Sequence, residues 1–462
     1  MLYSESEQRF LPDRYVEGTC PTCGYRDARG DQCDECGRLL EATELTDPRS
    51  SSNGSRPVVR ETEHLFFNLP AFSEPLLAYL ESHADHWRPN PLNFSRSFIE
   101  GGLKPRPITR DLDWGIPVPL PGWEEKKLYI WFENIIGYLS ASIEWARNRG
   151  EAEAWKAWWY EPTARSYYFL GKDNIPFHTI FWPAELLGVE RLYEEDPGKR
   201  LNLPYDVPAN AYLSLEGEQF STSRNRAVWL PDALGRYDAD AIRYVLAATL
   251  PETSDSDFTW AGFVSHNNNE LVATWGNLVN RVLTFATQHW DGRVPEPGPY
   301  RKVDRDLLAQ IEGGFETVGA LLAAVKLRAA LGEALGLARA VNAYLEQAPW
   351  YRVIQTDGEA AATTVYTALR AIDSLKVLLA PFVPFSSEKL HRLLGYERPL
   401  FGRQEIASYD ESGRGHDALV YDGSEASGRW EASGLEPGQR LERPVALFRK
   451  LDEGGILRGT SV

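Results

Sequence analysis

The 462-residue chain sets 49 Lys and Arg against 66 Asp and Glu, a formal net charge of −17, with 43% hydrophobic and 25% charged residues. That is the composition of a globular chain with ample core-forming material, and at roughly 150 residues per domain it implies about three domains. The opening twenty residues are polar and acidic, and the long apolar stretch at 375–385 is short and interrupted by Pro381 and Pro384. The expectation is a cytoplasmic protein with no membrane partner. The acidic balance argues against indiscriminate nucleic-acid binding, though it leaves room for a local basic face. Met1 is the only methionine and reads as a start codon.

Taken in chain order, the first feature is Cys20-Pro-Thr-Cys23 followed by Cys33-Asp-Glu-Cys36, a C-x2-C-x9-C-x2-C array. Two close thiolate pairs can close a tetrahedron around one zinc ion, and four thiolates leave no open position, so such a metal is structural. Two disulfides or free thiols are the alternatives, and the absence of a secretory signal weighs against them. Residues 49–58 read as a loop, and 61–123 as an irregular α+β module. Residues 128–132 predict a strand, and 136–149 a helix with Ile136, Leu139, Ile143 and Ala146 on one side. Residues 167–170 predict a second strand, ending in Gly171-Lys172-Asp173, and a second helical pattern runs through Leu187. Strand, helix, strand, helix implies part of a parallel, helix-covered sheet whose ligands lie beyond the strand C-termini. After Val264 the pattern is helical, with Leu327, Leu331, Ala334, Leu335, Ala338, Val341 and Leu345 forming one apolar stripe. Residues 402–442, rich in Gly, Ser, Asp and Glu, predict a loosely packed tail.

Two clusters at strand ends carry chemistry. One runs from Trp131 to Gly137-Tyr138; the other is Gly171-Lys-Asp173 through His178, with Trp182 one helical turn further on. Each alone is compatible with aromatic core packing. Together, at one edge of a sheet, they predict a pocket for a small apolar ligand with a polar head.

These segments, with the four-cysteine array, resemble methionyl-tRNA synthetases of class I. So do Thr62-Glu-His-Leu-Phe-Phe, Arg110-Asp-Leu-Asp-Trp-Gly, Tyr237-Asp-Ala-Asp-Ala-Ile-Arg-Tyr and Gln347-Ala-Pro-Trp350, and the similarity spans residues 11–400. The resemblance implies an α/β fold: an incomplete Rossmann-type parallel sheet with a zinc-containing insertion, then an α-helical bundle that binds an anticodon. It divides the chain into a zinc-containing insertion (1–127), the second half of the catalytic domain (128–262), the anticodon domain (263–401) and a flexible extension (402–462). It implies methionine–tRNA ligase activity, with methionine, ATP with Mg2+, and tRNA(Met) as partners and one structural Zn2+ held by Cys20, Cys23, Cys33 and Cys36. Trp131, Tyr138, His178 and Trp182 match the wall of the methionine pocket. Gly171 and Asp173 match the strand end that holds the ribose of ATP, and Arg110 an arginine near the triphosphate. Asn277, Arg281 and Trp350 match anticodon-reading residues, although Arg281 by itself reads equally as a solvated or phosphate-facing arginine.

The chain departs from the family in three places, the first being Glu133-Asn134, which stands where the family usually has Asp-Ala after the pocket tryptophan. No strand with a HIGH-type phosphate loop precedes the zinc array; the expectation is that it lies upstream or comes from a separate chain. The family's KMSKS loop aligns with Gln219-Phe-Ser221-Thr-Ser223-Arg224, which carries neither lysine, and Arg224 is the candidate replacement cation. A neutral amide cannot replace a cation against developing phosphate charge. A degenerate or split paralogue that binds tRNA without forming an adenylate is therefore an alternative reading. A ligase-like enzyme that activates another amino acid without tRNA is a third.

Overall fold

The computed structural model describes residues 1–452 apart from 39, 190, 222–225, 349 and 412. The chain forms two compact units, Met1–Ala209 and Asn210–Val462.

In the first unit, the strand Val16–Thr19 pairs antiparallel with Ala28–Arg29 and with Thr46–Ser50. A small core of Leu2, Leu11, Val16, Ala28, Leu40 and Leu45 closes around Cys20 and Cys33. A second core joins helices α1 (Ser73–Ser82) and α2 (Pro89–Glu100) to α3 (Gly137–Asn148) and α4 (Trp182–Val189). Residues on both sides of 127 share this core, so no packing boundary falls there. The start of α2 follows from a proline in its first turn, where a missing N–H costs nothing. In α3 the predicted spacing holds in part: Leu139 and Ala146 are buried and Ile143 half-buried, but Ile136 precedes the helix and is exposed, and its neighbour Ile135 is buried in its place.

The strand expected at 128–132 is shorter than its composition suggested. Only Lys127–Leu128 pairs, antiparallel to Thr109–Arg110. That partner is two residues long, so beyond it the backbone must satisfy itself. It does so by turning helical over Ile130–Glu133, with the Phe132 and Glu133 N–H groups donating to the Tyr129 carbonyl. The second expected strand is also brief: Leu170–Gly171, preceded by a parallel bridge between Tyr167 and Asp206.

In the second unit, Leu213–Leu215 pairs parallel with Ser256–Phe258 and antiparallel with Glu218–Gln219. Glu216 and Gly217 both take positive φ (52° and 78°), the geometry of a tight two-residue hairpin turn. Helix α5 (Ala239–Ala248) packs with α6 (Asn277–His289), α7 (Lys302–Ala323), α8 (Leu327–Gln347), α9 (Gly358–Leu379) and α10 (Pro384–Leu393). The predicted stripe on α8 is the buried one, from Leu331 to Leu345. Ala241, Tyr244, Val245 and Phe258 belong to the same core as the helices, so it does not break at 262.

The tail differs from expectation. Arg403–Glu411 and Arg414–Asp422 form a regular antiparallel hairpin, and Leu435, Leu441, Leu447 and Phe448 beyond it are buried. Specific polar anchors hold the segment where average composition suggested looseness. Asp373, 3% exposed, accepts from Lys376 Nζ (2.6 Å), Tyr396 Oη (2.8 Å) and the tail's Ser433 Oγ (2.6 Å). Trp430 Nε1 donates to the Phe315 carbonyl (3.0 Å) and Tyr366 Oη to that of Leu435 (3.1 Å). Among the described residues, no helix is long and apolar enough to cross a membrane.

Removing the carboxylate strands a buried ammonium, which commonly costs about 3–5 kcal/mol. Asp373→Ala is expected to lower unfolding free energy in urea by that amount, and a loss below about 1 kcal/mol would show that the network is not a structural hub.

Candidate active site

His178 lies in a π-helical turn, Phe177–Phe181, that runs into α4. Wide turns of this kind occur often at functional positions, because they displace a side chain from the regular helical face. The imidazole is 8% exposed. Its Nδ1 lies 3.0 Å from the Asn174 carbonyl and its Nε2 2.8 Å from Tyr138 Oη. A carbonyl only accepts, so Nδ1 carries the proton; burial pushes the pKa below the usual histidine value, so Nε2 stays bare and accepts from the tyrosine. One neutral tautomer is thereby selected.

Aromatic rings surround this pair. Tyr168 lies edge-on to Tyr138 at 4.9 Å and accepts from Trp182 Nε1 at 3.1 Å. Trp182, 2% exposed, is 6.4 Å from Tyr138 and edge-on to Trp159 at 5.9 Å. Tyr138 itself is 44% exposed and forms the open rim over a buried floor. Trp131 stands apart from the pair and joins the cluster through Phe177, 5.9 Å away. Tyr168 escaped the sequence reading, although alternation along 167–170 separates it from Tyr167 and pairs it with Leu170 on one face. Glu185 escaped it too. It lies one turn beyond Trp182, buried, and neither carboxylate oxygen has a hydrogen-bond partner among the described residues.

Gly171 precedes a 3₁₀ turn, Lys172–Asn174, that contains the exposed Asp173. Because the Asn174 carbonyl at the end of this turn fixes His178, the two expected subsites are mechanically joined. Arg110 is buried: its Nη1 donates to the Pro107 and Thr109 carbonyls (both 3.0 Å), and its guanidinium lies 3.6 Å over the Tyr129 ring.

In the second unit, Gln219 is exposed at the end of its hairpin strand, opposite Ser214. Ser221 and Arg226 exchange backbone hydrogen bonds (2.9 and 2.8 Å). Ser223 and Arg224 lie outside the described residues. Asn277, Arg281, Phe285 and His289 recur at four-residue intervals on α6 and so share one stripe. Arg281 Nη2 donates to Asn342 Oδ1 at 2.9 Å. Trp350 is 6% exposed, its ring edge-on to Phe285 at 4.5 Å, while its neighbour Tyr351 is exposed. The three expected anticodon residues thus gather around α6, with the tryptophan buried.

The four cysteines converge, their sulfurs lying within 4.8 Å of one another. Four thiolates about 2.3 Å from one zinc ion form a tetrahedron with edges of about 3.8 Å. The Cys20–Cys36 and Cys23–Cys33 sulfur distances are 3.9 and 3.6 Å. Cys20 with Cys23, and Cys33 with Cys36, sit on turns of the same kind: the Gly24 N–H donates to the Cys20 carbonyl, and the Gly37 N–H to that of Cys33. Both glycines have positive φ (77° and 71°), which admits them where another residue would be strained. Without a cation the thiols compete for charge. The backbone N–H of Cys23 helps to hold the Cys20 thiol down to about 6. Against the backbone N–H of Tyr25, burial and the neighbouring sulfurs push Cys23 up to about 12. The cluster can hold one metal ion in a closed site.

Comparison with known proteins agrees with this geometry. Residues 1–283 match the family described as tRNA synthetases class I (M), and residues 294–423 match the anticodon binding domain of methionyl tRNA ligase. The methionine–tRNA ligase of Thermomicrobium roseum is 59% identical over 98% of this chain and 76% of its own length. That of Chloroflexus aggregans is 52% identical with the same coverage. A solved structure of Mycobacterium tuberculosis methionyl-tRNA synthetase in complex with methionyl-adenylate superimposes with a TM-score of 0.70 at 25% identity, over 89% of this chain and 74% of that one. In these relatives the matching segment is part of one longer chain, so the expectation of a separate partner chain finds no support.

Burial pushes Glu185 up to about 9, so it is neutral at physiological pH. A carboxyl raised in the folded state stabilises least at high pH: stability falls as pH rises from the ordinary carboxylate range and levels off above about 9. Glu185→Gln is expected to remove that slope and to raise stability at pH 8 by about 2 kcal/mol or more. Thermal unfolding between pH 5 and 9 reads this out; parallel curves for the two proteins would mean that the carboxyl is solvated or paired.

Proposed function

The chain belongs to the class I methionyl-tRNA synthetases, and we propose that the Tyr138–His178–Trp182 cluster is the pocket in which it holds methionine. The activity is that of a methionine–tRNA ligase. The methionine carboxylate attacks the α-phosphate of ATP, pyrophosphate leaves, and the methionyl group passes from the adenylate to the 3′-terminal ribose of tRNA. No covalent bond to the enzyme forms, so the protein contributes position and charge.

The observation that carries the pocket is the hydrogen-bonded Tyr138–His178 pair set on buried aromatic rings. A thioether offers almost no hydrogen bonding, and discrimination rests on shape and on sulfur against ring edges. A neutral imidazole of fixed tautomer suits that task, since a charged one would draw water into the pocket. Trp131, through Phe177, lines the outer wall. Gly171 and Asp173 receive the ribose, joined to the pocket by Asn174. Arg110 and the Gln219, Ser221, Ser223 and Arg224 loop serve the phosphates, with Arg224 supplying charge where Gln219 has none, and Mg2+ accompanies ATP. Asn277, Arg281 and Trp350 read the anticodon of tRNA(Met). Cys20, Cys23, Cys33 and Cys36 hold one structural Zn2+, whose role is to close a module too small to be held by its apolar core alone.

Calorimetry with methionyl sulfamoyl adenylate, a non-reacting analogue of the adenylate, tests the pocket. Saturable 1:1 binding is expected, with Tyr138→Phe weakening it by about tenfold because the buried Nε2 loses its donor. Equal affinity for the leucyl analogue, or unchanged binding by the variant, would refute the assignment.

A further inference from the structure

The exposed Arg281 on α6 is met by a residue of α8 that no sequence motif singled out. Asn342 Oδ1 accepts from Arg281 Nη2 at 2.9 Å. Its Nδ2 donates twice, to the Thr274 carbonyl at 3.0 Å and to the Ala338 carbonyl at 3.2 Å. Both donors are therefore committed to backbone, which fixes the amide's orientation. The flipped amide would set its NH2 against the guanidinium and its oxygen against two carbonyls. Thr274 lies in the π-helical stretch Asn267–Gly276 that leads directly into α6 at Asn277. One side chain thus ties together its own helix, the approach to α6 and the arginine one turn into α6.

We propose that Asn342 is a positioning residue for anticodon selection, holding the Arg281 guanidinium in the single orientation that reads a base. The proposal rests on the reading above that Arg281 contacts the anticodon. An unrestrained arginine loses its many rotamers on binding and meets any acceptor within reach. Held at one nitrogen by a fixed oxygen, it presents its remaining N–H groups in a set direction, which favours one base edge over others. Asn342 touches no nucleotide in this scheme; its effect passes through Arg281.

The test is fluorescence anisotropy of labelled anticodon stem-loops, one with CAU and one with a substituted anticodon, binding to the full chain. The readout is the ratio of the two affinities. Arg281→Ala is expected to lower this ratio, and Asn342→Ala to lower it by a similar factor, on the order of tenfold for a hydrogen bond to a charged group. The double variant is expected to match Arg281→Ala, because the two residues act in series. Asn342→Gln keeps an amide with its acceptor and both donors on a side chain one methylene longer and should retain part of the selectivity; it also serves if Asn342→Ala folds poorly. Equal weakening of both stem-loops by Asn342→Ala, or losses that add in the double variant, would show a merely structural asparagine and overturn the proposal. If Arg281→Ala lowers the ratio and Asn342→Ala does not, the positioning role alone fails. If Arg281→Ala leaves the ratio unchanged, the anticodon reading fails and the proposal falls with it.

Discussion

A buried imidazole can be satisfied in only a few ways, and the arrangement around His178 follows from that restriction. The Asn174 carbonyl accepts a hydrogen bond from Nδ1–H and Tyr138 Oη–H donates one to the bare Nε2, so the ring is neutral and cannot rotate without losing both bonds. The turn that contains Asp173 ends at Asn174, and the helix that carries Trp182 begins where the π-helical turn ends. Asp173, the imidazole and Trp182 are therefore set by one short continuous segment. If, as proposed, methionine binds here, this economy matters because the ligand offers few polar handles, and a loosely built pocket could not tell it from other apolar amino acids.

The same requirement, that a polar group leaving water must find a partner, shapes the second unit. Asp373 gathers an ammonium, a phenol and a tail hydroxyl, and in doing so draws residues with little apolar surface onto the bundle. Asn342 spends two donors on backbone carbonyls and one acceptor on an arginine. Glu185, in the first unit, meets the requirement differently. It is buried without a hydrogen bond and avoids the cost of a stranded charge by staying protonated.

Much of this was legible in the sequence where spacing carries geometry. The cysteine pairs and the stripe from Leu331 to Leu345 follow from fixed spacings that the backbone obeys, whereas the grouping of Tyr138 with His178 and Trp182 rests on two strand ends placed at one sheet edge and on the family resemblance. Strand lengths were not legible, because a strand's extent depends on its partner; Leu128 ends its ladder where Thr109–Arg110 ends. The packed tail was hidden for a related reason. Leu435, Leu441 and Phe448 are single anchors diluted among Gly, Ser and Glu, and averaging over a window erases them. Asn342 was invisible for want of any local signature, since both of its informative partners lie more than sixty residues away. The burial of Trp350 against Phe285 also needed coordinates, for sequence similarity places a tryptophan without saying which face is open.

The central claim is that the amino-acid side chain lies against Tyr138, His178 and Trp182. Selenomethionine offered as ligand tests it directly, because the chain's only methionine is Met1 and a ligand selenium would stand apart from the zinc proposed for the cysteine cluster in an anomalous difference map. A crystal soaked with it is expected to show a peak about 5 Å or less from the Tyr138 ring, over the His178 and Trp182 floor, as favourable sulfur–aromatic contacts require. A selenium peak elsewhere in the protein, with that cluster undisturbed, would contradict the account.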